Sequence, residues 1–380
     1  MKKNLIIYFS KFSIGGMERS LVEFLKNSNL SKNYNVTLFV GYSLENSYLE
    51  EAKKYANIKL ICKGKWNILA KLKTFLVLEL TYLKYLIKKP NYDVSICYPH
   101  QHKILAKLAR ISSKNNIIFI HADLVNSRNE CERNKLLKKI KFNKFAKVAC
   151  VSEKAKESFL TLIPNYKGKI YVINNYVNGE YIKEKSNEII DDYEFKNKTF
   201  INISRQVDKT KQISLILEAT KRLNQENYKF NVLLIGNGID HNNYKEFIKN
   251  NNLTNVDLIG SRLNPYKYLK KSSCLLLTSK SEGYGMVLDE ARVLNVPIIS
   301  TDVGNANIVI NEGYGLITES SIEGIYKCMK EFLDNGLPIK EFDYNKFNQN
   351  ITNKIDEMVS DNIWIMKIVK RKNLQKKLLK

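Results

Sequence analysis

Short, continuous apolar runs alternate with longer stretches of helical periodicity, and this alternation restricts the fold more than any other feature. In the first half, runs of four or five residues lie at Leu5–Phe9, Val36–Val40, Ile58–Ile61, Val94–Cys97, Ile117–His121, Val148–Val151 and Ile170–Ile173. Strands that are covered on both faces of a parallel sheet have this unbroken apolar character. Helical patterns such as Met17–Lys26 and Glu153–Leu160 lie between the runs. The first half therefore predicts a parallel sheet flanked by helices.

The same alternation begins again after residue 198. Its strand candidates are Phe200–Ser204, Phe230–Ile235, Val256–Ile259, Cys274–Thr278 and Pro297–Ser300. The charged stretch between the two series, residues 179–198, has the composition of a linker. A chain of 380 residues is also too long for one ordinary core. We therefore predict two Rossmann-like α/β domains, residues 1–178 and 199–355, with a ligand-binding cleft between them.

The composition narrows the class of protein. After Met1 the first apolar run is only Leu5–Phe9, so we expect no signal peptide. The longest apolar segment, Trp66–Ile87, is interrupted by charged residues and is not a typical membrane span. Six cysteines without a CxxC spacing favour free thiols in a reducing compartment over zinc or disulfides. These features together predict a cytoplasmic protein.

The net charge of +24 is concentrated in the first half. Residues 1–178 hold 32 Lys and Arg against 12 Asp and Glu, a balance of +20, whereas residues 179–380 hold 30 against 26. This asymmetry favours an anionic partner for the first half, either nucleic acid or a membrane surface, unless the lysines are merely solvated. The segment Trp66–Lys89, rich in Leu, Tyr and Lys, is the candidate membrane-contact helix. An ordinary buried helix with snorkelling lysines explains the same sequence equally well.

One motif in the second half carries the strongest functional signal, and its sequence is Glu282-Gly283-Tyr284-Gly285-Met286-Val287-Leu288-Asp289-Glu290. A strand candidate precedes it and an amphipathic run follows, so its glycine turn leads into the start of a helix. The first N–H groups of a helix are unpaired and bind anions. Glu282 in the loop and Glu290 in the helix could then reach the hydroxyls of a ligand whose phosphates the amides hold. Glutamate is also common near helix starts because it suits the helix dipole.

Polar residues or glycines follow three other strand candidates. Gly15-Gly16 comes after the first strand and allows a close backbone approach, although it is not a GxGxxG pattern. His121 lies at the carboxyl end of a buried strand. Arg205 and Lys211 flank the loop after Phe200–Ser204, and a planar guanidinium with a point charge suits a diphosphate. Each signal is weak alone, and the sequence has no DxD motif, metal-ligand cluster or P-loop.

In their order and spacing, these motifs resemble the retaining glycosyltransferases of the GT4 type (glycosyltransferase group 1), which have a GT-B fold. The resemblance covers nearly the whole chain, and it is greatest to bacterial enzymes that build surface polysaccharides. Other segments similar to the family are Val151-Ser152-Glu153, Val172-Ile173-Asn174-Asn175, Gly236-Asn237-Gly238, Asn264-Pro265-Tyr266 and the run from Val296 to Gly304. A GT-B fold also implies that a basic C-terminal helix, residues 356–380, packs back toward the first domain.

The resemblance implies a role for each candidate residue. The groups that would bind the donor diphosphate are Arg205, Lys211, Gly16 and the backbone amides near Gly285, Met286 and Val287. Glu290 would hold the ribose hydroxyls of the nucleotide. His121 and Glu282 would be the catalytic residues, both touching the transferred sugar.

The implied reaction is the transfer of a sugar from a nucleotide-sugar, with UDP favoured, to a saccharide or lipid-linked saccharide acceptor. The family retains the anomeric configuration and needs neither metal nor cofactor. The departing phosphate would help to deprotonate the acceptor, which attacks from the same face. We expect a cytoplasmic enzyme that docks its basic first domain on the inner face of the plasma membrane and has no nucleic-acid partner.

Other interpretations remain open at this stage. A nucleotide-sugar epimerase of the same fold would need acid and base carboxylates in the first domain, for which Asp123 and Glu18 are the candidates. A nucleic-acid-binding protein would explain the charge but not the paired glutamates, and a degenerate scaffold would not need them. The chain also departs from the family, because Ser204 and Gln212 replace glycines and Asn307 replaces a glutamate.

Overall fold

A computed structural model describes residues 2–13, 15–44, 47–65 and 67–360. A first sheet of seven parallel strands consists of β1 (Lys3–Phe12), β2 (Tyr34–Ser43), β3 (Asn57–Lys63), β4 (Val94–Cys97), β5 (Asn115–Ile120), β6 (Lys147–Cys150) and β7 (Lys169–Val172). The helices that connect these strands are α1 (Gly16–Asn27), α2 (Leu30–Asn33), α3 (Ser47–Ala52), α4 (Ile68–Ile87), α5 (Lys103–Ser112), α6 (Glu130–Ile140) and α7 (Glu153–Leu162).

A second sheet has six parallel strands, namely β8 (Thr199–Ile203), β9 (Asn231–Ile235), β10 (Val256–Gly260), β11 (Cys274–Leu277), β12 (Ile298–Thr301) and β13 (Gly315–Thr318). Helix α8 (Gly179–Ser186) precedes this sheet. The helices that follow are α9 (Asp208–Lys211), α10 (Ile213–Gln225), α11 (His241–Asn250), α12 (Tyr266–Lys271), α13 (Met286–Val293), α14 (Ala306–Val309), α15 (Ile322–Asn335) and α16 (Tyr344–Val359).

Both sheets have the strand order of a doubly wound fold. The first runs β3-β2-β1-β4-β5-β6-β7 and the second β10-β9-β8-β11-β12-β13. In each, the order reverses once, between β1 and β4 and between β8 and β11. Helices diverge to opposite faces at such a reversal and leave a crevice beyond the carboxyl ends of the strands. Each domain therefore provides one ready binding crevice.

The prediction of two Rossmann-like α/β domains is confirmed. The central strands are buried along their length because helices cover both faces, which explains their continuous apolar sequences. All twelve strand candidates form strands, with shifts of a few residues at their ends. The thirteenth strand, Gly315–Thr318, was not predicted, because it is a short edge strand with one buried residue.

The last described helix leaves the second domain and packs on the first. In α16, Ile351, Ile355, Met358 and Val359 are buried in the core beneath the first sheet. The side-chain amide of Asn115 donates a hydrogen bond of 3.0 Å to the carbonyl oxygen of Val359. A helix near the end of the described chain thus returns to the first domain, as expected for this fold, and it spans Tyr344–Val359 rather than beginning at 356. The predicted continuation over 361–380 lies outside the described residues.

Two other segments differ from the sequence expectation. Within the predicted linker, residues 179–186 form helix α8, whose Ile182 is buried in a core cluster of the second domain. Helix α4 is not the ordinary buried helix that was one interpretation of Trp66–Lys89, since Thr74 and Leu78 are its only buried residues. Trp66 itself lies outside the described residues.

Large apolar side chains of α4 are exposed to solvent on the face away from the sheet. We call them the α4 stripe, and they are Ile68, Leu69, Leu72, Phe75, Leu76, Leu80, Leu83, Leu86 and Ile87. No helix in the described part of the chain is both long and apolar enough to cross a membrane. All six cysteines are free.

Candidate active site

The two crevices face each other and enclose one cleft of about 800 Å³. The first domain lines it after β1, β2 and β5, with Gly15, Gly16, Arg19, Tyr48, Ala122, Asp123 and Ser127. The second domain lines it after β8 and β11, with Ile203, Arg205, Val207, Thr210, Lys211, Ser281, Glu282, Gly283, Met286 and Glu290. Residues from five strand ends, up to 275 positions apart in sequence, therefore meet in one site, from Gly15 to Glu290.

Glu282 is held in place by its own domain. Its Oε1 forms an ion pair with the Lys211 ammonium and accepts a hydrogen bond of 2.7 Å from the Ser279 hydroxyl. About a fifth of each side chain in the ion pair is exposed, so both groups remain accessible from the cleft. The β8 and β11 loops also join through the backbone, because Lys280 N–H donates to the Thr210 carbonyl at 2.8 Å. Glu282 and Lys211 are thus preorganised before any ligand binds.

The loop between Glu282 and α13 depends on glycines. Gly285 has φ 89°, a left-handed conformation that favours glycine, and α13 starts directly after it. Gly304 packs against this loop and also has a left-handed conformation, with φ 56°. A Cβ at this position would lie 2.4 Å from the Tyr284 carbonyl oxygen. That carbonyl accepts a hydrogen bond of 2.8 Å from Asn305 N–H. Met286 is one of the residues that line the cleft, whereas Gly285 and Val287 are not among them.

Beneath the loop, a buried ion pair anchors α13. The Arg292 guanidinium donates to Asp289 at 3.0 Å and to Glu312 at 2.7 Å, and both Arg292 and Asp289 are almost fully buried. Arg292 also stacks on the rings of Phe342 and Tyr314, at 3.6 and 4.4 Å from their centroids. Burial raises the pKa of Asp289, although Arg292 opposes that shift. This cluster positions the helix and does not reach the cleft.

Glu290 has a partner that the sequence did not reveal. Arg19, on α1 of the first domain, donates to Glu290 Oε1 at 2.9 Å and to the Tyr266 hydroxyl at 2.6 Å. Burial opposes the charge on Arg19, but Glu290 and then Tyr266 outweigh it and raise the pKa of Arg19. Glu290 is thus paired across the cleft, whereas Glu282 is paired within its own domain. The only sequence signal was the position of Arg19 three residues after Gly16.

Arg205 lies at the cleft with an exposed side chain. Within the described part of the chain it makes no ion pair, so its guanidinium is available to an anionic ligand. Gly16 faces the same space, and an added Cβ there would meet only Met286 Sδ, at 3.8 Å. In the structure without ligand, the glycine is therefore not required by contacts within the protein.

His121 lies beside the cleft rather than among its lining residues. Its ring packs against Tyr98 and Phe119, with centroids 4.5 and 5.7 Å away, and its neighbours Ala122 and Asp123 line the cleft. Burial lowers the pKa of His121 to about 4, and a hydrogen bond to the Tyr98 backbone opposes this only partly. The imidazole is therefore neutral near pH 7. Its Nε2 is buried and has no hydrogen-bond partner in the described structure.

Direct contacts hold the two domains closed around the cleft. Gly283 packs so tightly on the first domain that an added Cβ would lie 2.1 Å from the His121 carbonyl oxygen. The Gly283 carbonyl accepts a hydrogen bond of 2.7 Å from the Ser152 hydroxyl. Lys154 and Asp302 form an ion pair at 2.7 Å. Tyr284 is buried in a core cluster of the first domain, so the motif of the second domain reaches into the first.

The departures from the family pattern are accommodated locally. Gln212 has φ 49°, in the left-handed region, which explains why a glycine would suit this position. Its side-chain oxygen accepts a hydrogen bond of 2.7 Å from Ser320. Ser204 does not have a positive φ, and its hydroxyl donates to Asn202 at 2.7 Å. Asn307 is exposed on α14.

The two carboxylates that an epimerase would need already accept hydrogen bonds from residues of their own loops. Asp123 Oδ1 accepts from the backbone N–H groups of Val125 and Asn126, at 3.0 and 2.9 Å, and Oδ2 accepts from the Asn126 side chain. Glu18 Oε1 accepts from the N–H and the hydroxyl of Ser13, at 3.2 and 2.5 Å. Both residues stabilise loops, which disfavours the epimerase interpretation. In the described chain, no group of three or more His, Cys, Asp or Glu residues is suitable to hold a metal ion.

Comparison with known proteins shows a family match over most of the second domain. Residues 184–354 match the model of the family described as "Glycosyl transferases group 1". An uncharacterized glycosyltransferase of Methanocaldococcus jannaschii is 30% identical over 178 residues, which is 46% of this chain and 46% of that protein. This match spans about half the length of that relative.

A second relative and a solved structure cover more of the chain. The relative is the N-acetylgalactosamine-N,N'-diacetylbacillosaminyl-diphospho-undecaprenol 4-alpha-N-acetylgalactosaminyltransferase of Campylobacter jejuni, 25% identical over 69% of this chain and 73% of its own length. The solved structure is Anabaena HepE in complex with UDP and glucose, which has a TM-score of 0.67 at 14% identity. The alignment covers 94% of this chain and 99% of that chain. These matches confirm the GT-B fold.

Proposed function

Because residues 184–354 form a group 1 glycosyl transferase domain, we propose that this chain transfers a sugar from a nucleotide-sugar donor to a saccharide acceptor during surface-polysaccharide synthesis. The observation that carries the proposal is the cleft between the domains. It brings together Gly16, Arg205, Lys211, Glu282 and Glu290, which are the residues predicted from the sequence to bind such a donor.

The donor is proposed to bind mainly on the wall of the second domain. Arg205, which has no ion-pair partner among the described residues, and Lys211 would bind the diphosphate, together with the first amides of α13. Glu282 would accept hydrogen bonds from sugar hydroxyls while it keeps its contact with Lys211. Glu290 would exchange Arg19 for the ribose hydroxyls. A UDP-sugar is the favoured donor, which is consistent with the UDP in the HepE complex.

The proposed chemistry breaks the bond between the anomeric carbon and the β-phosphate oxygen. The acceptor oxygen forms the new bond on the same face, and its proton passes to the departing phosphate oxygen. Negative charge that develops on the diphosphate would be stabilised by Arg205, Lys211 and the helix amides in the cleft between the domains. This reaction retains the anomeric configuration and needs no metal ion.

His121 is proposed to orient the sugar rather than to transfer a proton. Because its pKa is about 4, the imidazole is neutral at the pH of the cytoplasm. A neutral imidazole whose Nδ1 donates to a backbone carbonyl keeps Nε2 as an acceptor. The buried, unpartnered Nε2 could accept a hydrogen bond from a sugar hydroxyl.

The acceptor is proposed to be a lipid-linked saccharide. The Campylobacter relative is named for a diphospho-undecaprenol acceptor, and the first half of this chain carries a charge balance of +20. A basic domain is attracted to an anionic leaflet, where each Lys or Arg near the surface contributes about 1 kcal/mol. We therefore place the enzyme on the cytoplasmic face of the membrane.

A thermal-shift screen of UDP-, GDP- and ADP-sugars tests the donor assignment, with EDTA present throughout. We expect at least one nucleotide-sugar to raise the melting temperature of the wild type. The same compound should shift the Lys211→Ala variant much less. The assignment would be contradicted if no nucleotide-sugar stabilised the protein. NMR of the anomeric proton in the product, obtained with a saccharide acceptor, then tests retention.

A further inference from the structure

Half of the exposed large apolar side chains in the described structure belong to a single helix. Eighteen such side chains are exposed in the described residues, and nine of them form the α4 stripe. In this stripe between 49% and 89% of each side chain is exposed. The others are scattered singly over both domains, which is ordinary for a protein surface. A contiguous patch on one helix indicates an interaction surface.

The geometry of α4 makes the stripe a continuous band. At 100° per residue, its members fall within a sector of about 140°, and the helix is roughly 30 Å long. Thr74 and Leu78 point the opposite way and pack on the domain, so that α4 is attached along its side. The Thr74 hydroxyl bonds to the Gly41 carbonyl in β2. The helix therefore presents its flank, not its end, to a partner.

Lysines border this band on both sides. Lys71 lies along one edge by helical spacing, and Lys73 and Lys84 lie along the other, all three with exposed side chains. Lys63, Lys65, Lys88 and Lys89 extend the positive charge beyond the helix ends. Glu79 is the only acid from 63 to 89, and by the same spacing its partly exposed side chain lies within the band. A mainly apolar band with lysines along its edges and ends matches the layering of a leaflet, with hydrocarbon below anionic headgroups. Two copies of the helix would instead bring like charges together, which disfavours a dimer through this face.

We propose that the α4 stripe inserts into the interface of an anionic lipid bilayer and holds the first domain there. Helix α4 starts where β3 ends, at the carboxyl edge of the sheet that also borders the cleft. The bilayer surface would then reach the side of the protein on which the cleft lies. The proposal concerns docking alone and does not depend on which sugar is transferred.

Co-sedimentation with vesicles tests this directly. Full-length protein is mixed with vesicles of neutral phosphatidylcholine or of phosphatidylcholine with phosphatidylglycerol, at low and high salt. We expect binding to the anionic vesicles at low salt, and at least tenfold weaker binding for Leu72→Gln/Leu76→Gln/Leu83→Gln. Lys71→Gln/Lys73→Gln/Lys84→Gln should weaken binding and remove much of its dependence on salt.

A matched control uses exposed apolar residues of the second domain. Ile189→Gln/Ile239→Gln/Ile339→Gln changes three side chains that are also 69% to 85% exposed, and it should bind vesicles like the wild type. Because all six positions are already exposed, both triple variants should fold, which melting curves check. A tryptophan at position 76 should shift its emission to shorter wavelength with anionic vesicles, whereas one at position 239 should not.

Three outcomes would overturn the proposal. The wild type could fail to bind anionic vesicles at low salt, or the stripe variant could bind as well as the wild type. In analytical sedimentation without lipid, the wild type could instead form a dimer that the stripe variant does not form. The α4 stripe would then be a contact between two copies of this chain. Transfer to a water-soluble acceptor, measured in parallel, separates a failure of docking from a failure of the transferase assignment.

Discussion

The two walls of the cleft are built differently. On the second domain, Glu282 is a side chain fixed by neighbours in the same domain, Lys211 and Ser279, and the exposed Arg205 lies beside this pair. On the first domain, the described lining residues are small or neutral apart from Asp123 and Arg19. Asp123 is bound by its own loop, and Arg19 reaches across to Glu290. The Glu282 and Lys211 part of the second wall is therefore preorganised within its own domain, whereas the first wall completes the site only when the domains are in contact.

This difference indicates how the work is divided between the domains. A preorganised polar wall suits the diphosphate, where charge develops during transfer. The first domain supplies closure, and its surface carries the basic charge and the α4 stripe that suit an acceptor at a membrane. The predictions below test this division, beginning with the largest expected effect.

Loss of the fixed carboxylate on the second wall should have the largest effect. We expect Glu282→Ala to lower kcat/KM by about 1,000-fold, because it removes a positioned group at the reacting centre. The melting temperature should change little, since the ion pair is partly exposed. Glu323→Ala is the matched control, because it breaks an ion pair with Arg222 on the outer surface of the same domain. Substantial turnover by Glu282→Ala would remove Glu282 from the site.

A substitution at the domain contact tests whether the first wall acts through closure. Gly283→Ala places a methyl group 2.1 Å from the His121 carbonyl, so the domains should not close fully. We expect activity to fall by about 100-fold, since a misplacement of about 1 Å can have that effect. Small-angle scattering should show a larger radius of gyration. Gly16→Ala, with only Met286 Sδ nearby at 3.8 Å, should leave that radius unchanged.

Loss of the ion pair across the cleft, between Arg19 and Glu290, should have a smaller effect on activity than the two substitutions above. Arg19→Ala removes one of several contacts between the domains and leaves the buried Glu290 carboxylate with the Tyr266 hydroxyl, at 3.3 Å, as its remaining side-chain partner among the described residues. Opening of the domains returns this carboxylate to water, which limits the cost of the substitution. We expect the KM for the donor to change by less than about tenfold and the ligand-free protein to become more open in scattering experiments. Arg222→Ala, which breaks a surface pair within one domain, serves as the control. A 1,000-fold loss in kcat would instead place Arg19 in the catalytic machinery.

Mild acid should lower the stability of the protein through buried histidines of the first domain. Burial lowers the pKa of His121, and of His102 nearby, to about 4, whereas an unfolded histidine titrates near 6.5. Below about pH 6.5 the unfolded state therefore binds protons that the folded state does not, so the free energy of unfolding falls as the pH falls toward 4. Each histidine should contribute a loss of about 1 kcal/mol at pH 5.5. His121→Gln should show a shallower decrease in melting temperature between pH 7 and pH 5 than the wild type, and an identical slope would contradict the assignment.

Local patterns made most of the fold predictable. Strands such as Asn115–Ile120 could be predicted from the sequence. Both of their faces are buried, and such strands have continuous apolar sequences. The edge strand Gly315–Thr318 lacked that signal since most of it is not buried. The α4 stripe could not be distinguished from a buried helix, because an interfacial helix and a buried one have similar compositions.

The site was predictable within each loop but not across the cleft. Glu282, Arg205 and Lys211 lie in motifs that follow strands, where the sequence places them on one sheet edge. The pairing of Arg19 with Glu290 spans 271 positions and two domains, so it depends on how the domains meet. The contact between Gly283 and His121 also joins the two domains, so the sequence could not predict it either.

Calorimetric titration of nucleoside diphosphates tests the central claim most directly, which is that the wall of the second domain binds the donor diphosphate. UDP, GDP and ADP are titrated into the wild type and into Arg205→Ala/Lys211→Ala. At least one should bind the wild type, and its affinity for the double variant should be at least about tenfold weaker, because two charge-assisted contacts are lost. If none binds the wild type, or if the double variant binds as tightly, the donor site is not on this wall.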